Sequence, residues 1–232
     1  MLIATAVMIT CLTNFFGTAF HVGGNVPHKG QIATPTSVYI TATEDTWVDV
    51  FHPLMIINNP PAPHDRDTIL RVRLSDEEPR RTISLLKFSI PITLRTMDVQ
   101  IEKAVFELYT VKAFDVPGLG TQSGAAVSEI GEDWDSKTVT PTNIPVIIDR
   151  AIDGLDPAEH MNDWSPFEVT EVVSEWSRGA PAHGFAIEGA RGSWPMADFV
   201  FSSVESEFPP RILISFRRSG SRIFMPLVGT KF

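Results

Sequence analysis

The strongest constraint on the fold is a succession of short strand-like runs that begins near Val38. Each run is rich in Val, Ile, Thr and Phe, and turn residues separate one run from the next. No alternation of strands with long helices and no internal repeat accompanies them, so the pattern argues against a parallel α/β fold. The sequence therefore predicts an all-β domain of antiparallel strands. The clearest runs are 37–41, 68–74, 82–88, 101–111, 199–203 and 211–216.

One segment has a helical period instead. Val169, Val172, Val173 and Trp176 fall at positions i, i+3, i+4 and i+7, which places them on one face of a helix. Gly179 follows as a stop signal. We expect one short helix in an otherwise β-rich chain.

Composition excludes several classes of protein. Hydrophobic residues make up 43% of the 232 residues, enough for a sizeable core. The formal net charge of −9 repels phosphate backbones, so we expect no nucleic-acid partner. Cys11 is the sole cysteine, which rules out an intramolecular disulfide and a cysteine-based zinc site.

The two ends of the chain read as extensions of the β domain. Residues 1–20 contain no charged side chain, and the first basic residue is Lys29. Three interpretations stay open: an apolar arm that packs on another subunit, a signal-like segment, or, least favoured, a membrane anchor. Residues 21–36 form a linker, and residues 217–232 form a second extension. In the arm interpretation the contacts come from Leu2, Ile3, Val7, Ile9, Leu12, Phe15 and Phe16.

Six motifs between these ends resemble those of DNRLRE-type domains, and they occur in that family's order. They are TEDTWV at 43–48, RTISLLKFS at 81–89, EKAVFELY at 102–109, EDWDSKTVT at 132–140, DWSPFEVT at 163–170 with the helix and 184–185 behind it, and FSSVE at 201–205 with PRIL at 210–213. The resemblance covers about residues 38–216. Ser89, Pro141 and Val204 depart from it, since the family pattern has Asp, Trp and Arg there.

The resemblance implies a jelly-roll β-sandwich of two antiparallel sheets over residues 37–216, related to carbohydrate-binding modules. The family has no catalytic activity, and no catalytic motif stands out in this chain, so we do not expect an enzyme.

A glycan site needs an exposed aromatic ring with hydrogen-bonding neighbours. Trp194 is the candidate ring because it lies in a turn-rich loop, and Arg191 is near enough in sequence to bond sugar hydroxyls. We expect neutral glycans, since the net charge disfavours polyanions. The other four tryptophans are interpreted as core residues: Trp47, Trp134, Trp164 and Trp176.

Two acidic loops keep structural calcium open as an alternative to no cofactor at all. Calcium takes several oxygen ligands, but neither loop has EF-hand spacing, and solvated acidic loops are the simpler interpretation. The acidic residues are Glu129, Glu132, Asp133 and Asp135 in one loop, and Asp149, Asp153 and Asp156 in the other.

Two functions fit these features. The first is a non-enzymatic structural subunit on the exterior of an assembly, such as a phage virion or a surface filament, joined through its terminal arms to like or unlike subunits. The second is a secreted or cell-surface carbohydrate-binding or adhesion module. The sequence favours the first because both ends carry apolar extensions.

Deleting residues 1–20 tests the arm. If the arm joins subunits, the truncated protein should be a folded monomer that no longer assembles, whereas the full chain should be oligomeric. Light scattering coupled to size-exclusion chromatography measures the difference. Normal assembly of the truncated protein contradicts the arm interpretation.

Overall fold

The computed structural model describes residues 35–50, 64–75, 81–95, 98–114, 124–189 and 196–218. Within them are one α-helix, α1 (Thr170–Ser177), and two 3-10 turns, Ile92–Leu94 and Pro157–His160. The strands are β1 (Thr36–Val50), β2 (Ile69–Ser75), β3 (Arg81–Phe88), β4 (Val99–Phe114), β5 (Ala125–Ile130), β6 (Ile147–Leu155), β7 (Trp164–Glu168), β8 (Phe185–Gly189), β9 (Met196–Ser202) and β10 (Arg211–Arg218).

Two long strands close the sheet on itself. β1 pairs with β10 through residues 36–41 and with β3 through residues 42–50. β4 pairs with β10 and β7 in its first part and with β9 through residues 110–114. The order β1-β10-β4-β9-β2-β3 therefore returns to β1, and β8, β5 and β6 continue from β3. Every pairing between these strands is antiparallel, and the result is barrel-like.

The all-β prediction is confirmed by this pairing. The finer prediction of a jelly-roll sandwich of two antiparallel sheets stays a prediction. The terminal extensions at 1–34 and 219–232, including the whole proposed arm, lie outside the described residues.

A large apolar core fills the closed sheet. Phe106 of β4 lies at its centre and packs against Phe167 and Phe185, with ring centroids 5.9 and 5.3 Å apart. Alternate residues of β10 point the same way, since Ile212 and Ile214 are fully buried. Burying so many large apolar side chains supplies the main stabilisation of the fold.

Helix α1 lies where its apolar period predicts. Val173 and Trp176 are fully buried, and the Trp176 ring centroid is 4.9 Å from that of Phe185. The Trp176 indole N–H donates to Glu129 Oε1 at 3.0 Å, so the buried ring keeps a hydrogen-bond partner. The prediction of a short helix here is confirmed.

Gly184 joins the helix side of the domain to β3 by a close backbone approach. Its φ of +106° lies in the left-handed region, and a Cβ there would stand 1.9 Å from the Leu86 carbonyl oxygen. Gly179, which ends α1, also has a positive φ of +108°, but a Cβ on it would meet nothing within 4 Å.

These two glycines form a matched pair for mutation. Gly179→Ala should cost about 1–2 kcal/mol of unfolding free energy, because it adds only backbone strain. Gly184→Ala adds a clash with backbone that cannot move aside, so we expect a loss of at least about 3 kcal/mol. Urea denaturation measures both. Equal losses would show that the close approach at Gly184 does not constrain the fold.

Candidate functional site

Aromatic side chains gather on the outward surface of β1, β10, β4 and β7. Strand alternation puts Tyr39, Arg211 and Tyr109 outward, because their sequence neighbours point into the core. Tyr109 lies directly opposite Trp164 of β7, and Phe208 joins them from the loop before β10. We call this surface, made of Tyr39, Tyr109, Trp164, Phe208 and Arg211, the aromatic face.

Arg211 is held between two rings at the middle of this face. Its guanidinium carbon is 3.7 Å from the Trp164 ring centroid and 4.6 Å from that of Tyr39. Its Nε–H donates to Glu107 Oε2 at 2.7 Å, and Glu107 is its direct partner across the β10–β4 ladder. Cation–π contacts and a charge-assisted hydrogen bond together fix the guanidinium in one orientation.

Tyr109 and Phe208 extend the face to one side. Their rings stack with centroids 4.2 Å apart at 18°, and both meet the edge of Trp164. The Tyr109 hydroxyl donates to the Asn162 carbonyl oxygen at 2.9 Å, which fixes the ring. Tyr39 remains 51% exposed and Phe208 37% exposed, so ring surface is open to a ligand.

The aromatic face corrects one sequence interpretation. Trp164 was expected in the core, but it lies half-buried on the outward surface, because Ser165 and Phe167 take the inward positions of β7. Trp47, Trp134 and Trp176 are buried as expected. The predicted glycan residues Trp194 and Arg191 lie outside the described residues.

The buried tryptophans offer no open ring to a sugar. Trp47 is covered by His64, whose ring stacks on it at 3.4 Å, and its indole N–H donates to Asp67 Oδ2. Trp134 has the Lys87 ammonium 5.2 Å from its ring centroid. Among the described tryptophans, Trp164 is the one on an exposed aromatic surface.

A second feature is an acidic cavity of about 380 Å³ beside the middle of β1. Four stretches of chain meet around it: β1, the segment before β2, the loop after β5 and the turn after β9. We call it the acidic cavity. Its charged lining residues are Glu44, Asp45, Asp65, Asp135, Lys137 and Glu205.

Asp45 is the buried member of that lining. Its side chain is 2% exposed; Oδ2 accepts a hydrogen bond from the Val204 N–H at 2.8 Å, while Oδ1 has no partner. Burial raises the pKa of Asp45 from 3.8 to about 7; the Val204 hydrogen bond opposes this rise, and the charge of Glu205 adds to it.

Most of the acidic residues in the two loops considered for calcium form hydrogen bonds or ion pairs within the protein instead. Glu132 accepts from the Val146 N–H, Asp156 caps the second 3-10 turn, and Asp133 pairs with Lys87. Of those whose side chains the structure describes, Asp135 alone lines the acidic cavity. As the side chains stand, the described part of the chain contains no group of three His, Cys, Asp or Glu arranged to hold a metal ion.

The Asp45 pKa predicts a pH dependence of stability in metal-free buffer. Between pH 3.8 and about 7 the folded state keeps a proton that the unfolded state releases, so the free energy of unfolding falls as pH rises through this window. Asp45→Asn removes this effect and keeps an oxygen for the Val204 N–H. We expect the free energy of unfolding of the variant to rise, relative to that of the natural protein, by up to about 4 kcal/mol as the pH increases from 4 to 8.

Urea denaturation at several pH values with a chelator present measures that difference. A free-energy difference between variant and natural protein that does not change with pH contradicts the prediction.

Comparison with known proteins assigns the chain to a family. No curated protein matches the chain significantly. No helix among the described residues is long and apolar enough to cross a membrane. The family model "Carbohydrate-binding module family 96" matches residues 36–216, nearly the span of the motif resemblance. Modules of this kind are non-catalytic domains. The chain belongs to carbohydrate-binding module family 96.

Proposed function

We propose that this chain is a non-catalytic glycan-binding module that holds a neutral oligosaccharide on the aromatic face. The observation that carries the proposal is the row formed by Tyr39, Arg211 and Trp164, with open ring surface beside fixed polar groups. A sugar ring has an apolar surface and a rim of hydroxyls. It therefore fits against an aromatic side chain that has hydrogen-bond donors and acceptors beside it.

The polar groups of the face fit a neutral ligand. Arg211 and Glu107 neutralise each other through their hydrogen bond, yet a guanidinium has five donors and a carboxylate has about four acceptor positions. Both can therefore bond sugar hydroxyls without presenting net charge. The overall charge of −9 adds a field that disfavours polyanionic glycans at low salt.

The size of the face favours a short chain of sugars. It crosses four neighbouring strands, which is about 14 Å at the usual strand spacing. Stacking on one ring contributes about 1 kcal/mol beyond the area it buries, so a single face binds weakly. Many copies on one surface would raise the avidity without any new contact.

A module of this kind operates on glycans outside the cell or at its surface, and we propose that location. The jelly-roll architecture also remains part of this proposal, with the outward β1–β10–β4–β7 surface as one of its layers. The virion or filament subunit inferred from the terminal extensions stays a prediction, because nothing in the described residues bears on it.

Two substitutions at Tyr39 test the aromatic face. Tyr39→Leu removes the ring but keeps an apolar side chain, whereas Tyr39→Phe keeps the ring. We expect the Kd for a bound neutral oligosaccharide to rise about tenfold in Tyr39→Leu and to change little in Tyr39→Phe. Screening neutral and uronate-containing polysaccharides identifies the ligand, and calorimetry measures the Kd.

Two further variants distinguish a wrong binding site from a wrong function. Ile92→Ala alters an exposed apolar residue that is not one of the residues of the aromatic face, and this variant should bind normally. If Trp194→Ala abolishes binding while Tyr39→Leu does not, the module binds glycans through Trp194 and the aromatic face is not the binding site. Binding to no neutral polysaccharide contradicts the proposed ligand class.

A further inference from the structure

The open ring surface of the aromatic face is divided into two patches by Arg211. The Arg211 guanidinium covers one side of the Trp164 ring, since its carbon is 3.7 Å from that ring's centroid. Tyr39 lies on the β1 side of Arg211, and Phe208 lies on the β4 side, where it stacks on Tyr109. Tyr39 and Phe208 are exposed, and the other two rings are half-buried. A ligand that stacks on aromatic rings therefore finds one place on each side of the guanidinium.

An ion pair lies between the two patches. Arg211 Nε–H donates to Glu107 Oε2 at 2.7 Å, and the two side chains are only 28% and 16% exposed. The pair is held in place by the sheet, because Arg211 and Glu107 are direct partners on β10 and β4. Its remaining donors and acceptors can bond the hydroxyls of a sugar that lies above it. The order across the face is thus ring, polar pair, ring.

The surface around these groups is the outward side of a sheet. Tyr39 lies opposite Leu213, and Leu213 lies opposite Val105 on β4, so half-exposed apolar side chains continue the face across three strands. None of the residues of the aromatic face lines the acidic cavity. A pocket that recognises the end of a chain encloses most of its ligand, whereas a sheet surface contacts one side of it. Across the part of the protein that the structure describes, a polysaccharide lying on this surface can therefore continue in both directions.

On the basis of the glycan binding proposed above, we infer that the aromatic face recognises an internal stretch of an extended neutral polysaccharide and not a chain end. Three consecutive sugars occupy the face: one stacks on Tyr39, one lies over the Arg211–Glu107 pair, and one stacks on Phe208. The outer two sugars supply ring stacking, and the middle one supplies hydrogen bonds to fixed groups. Sugars beyond these three extend past the face and add little to the affinity.

Linear oligosaccharides of defined length test the number of sugars bound and their position in the chain. The probes are 1,4-linked glucans, 1,4-linked mannans and 1,3-linked glucans of one to six sugars, together with their parent polysaccharides. In the series that binds, we expect the Kd to fall at least about tenfold from one sugar to three and to change less than about twofold from three to six. Six-sugar probes with methyl groups on both terminal hydroxyls should bind as tightly as unblocked ones.

The outcomes separate this inference from the function on which it rests. A single sugar that binds as tightly as six, a loss of binding when the ends are blocked, or a Kd that continues to fall about tenfold from three sugars to six overturns the three-sugar internal stretch. Each of these results leaves the glycan-binding function standing. Binding to none of the neutral polysaccharides contradicts the function and the inference together.

Two substitutions at Phe208 locate the second ring patch. Phe208→Leu removes the ring and keeps an apolar side chain, whereas Phe208→Tyr keeps the ring. For the six-sugar probe, Phe208→Leu should raise the Kd about tenfold, and Phe208→Tyr should change it little. Phe208 is exposed, so both variants should fold, and thermal unfolding verifies this. If Tyr39→Leu weakens binding but Phe208→Leu leaves the Kd unchanged, the face has a single ring site and the inference is overturned.

Discussion

The architecture depends on two strands that change partners halfway along their length. β1 leaves β10 for β3 at a register shift between Ala42 and Glu44, and β4 leaves β10 for β9 at a shift between Thr110 and Lys112. A bulge adds a residue to one strand and sharpens its twist, which lets one strand belong to two parts of a sheet. Because β1 and β4 each pair with two sets of neighbours, they close the sheet around its aromatic core.

The shift in β1 also explains why a carboxylate is buried. Before it, alternation is regular: Tyr39 faces solvent and Ile40 the core. After it, four consecutive residues from Asp45 to Val48 are buried, because both faces of β1 are now covered. Asp45 is thus enclosed by the fold's geometry, and its burial raises its pKa to about 7.

The sequence predicts much of the fold because its signals there are local. The strand runs, the four-residue stripe of α1 and the stop at Gly179 each depend on neighbours within a few positions. Trp164 was misassigned although its signal was local too: in β7 the inward Phe167 and outward Glu168 already place Trp164 outward. Strand alternation is therefore a better guide to the orientation of Trp164 than the motif in which it lies.

Neither candidate site could be assembled from local signals. Arg211 meets Trp164 and Glu107 only because β10, β4 and β7 are neighbours in the sheet. Asp45 accepts a hydrogen bond from the backbone N–H of Val204, which is 159 residues away, and no rule of sequence spacing links the two. Gly184 could be recognised as a glycine in a motif, but the Leu86 carbonyl oxygen that requires it is 98 positions earlier.

The loop between β9 and β10 connects the two sites physically. Its first part bonds Asp45 through Val204, and Ser206 Oγ then donates to the Ser203 carbonyl oxygen and accepts from the Phe208 N–H. Phe208 in turn stacks on Tyr109 in the aromatic face. The loop ends where the Pro210 carbonyl oxygen accepts from the Ala42 N–H, at the shift in β1. A short hydrogen-bonded loop fixed at both ends has few independent motions, so the position of Phe208 depends on the turn that Asp45 holds.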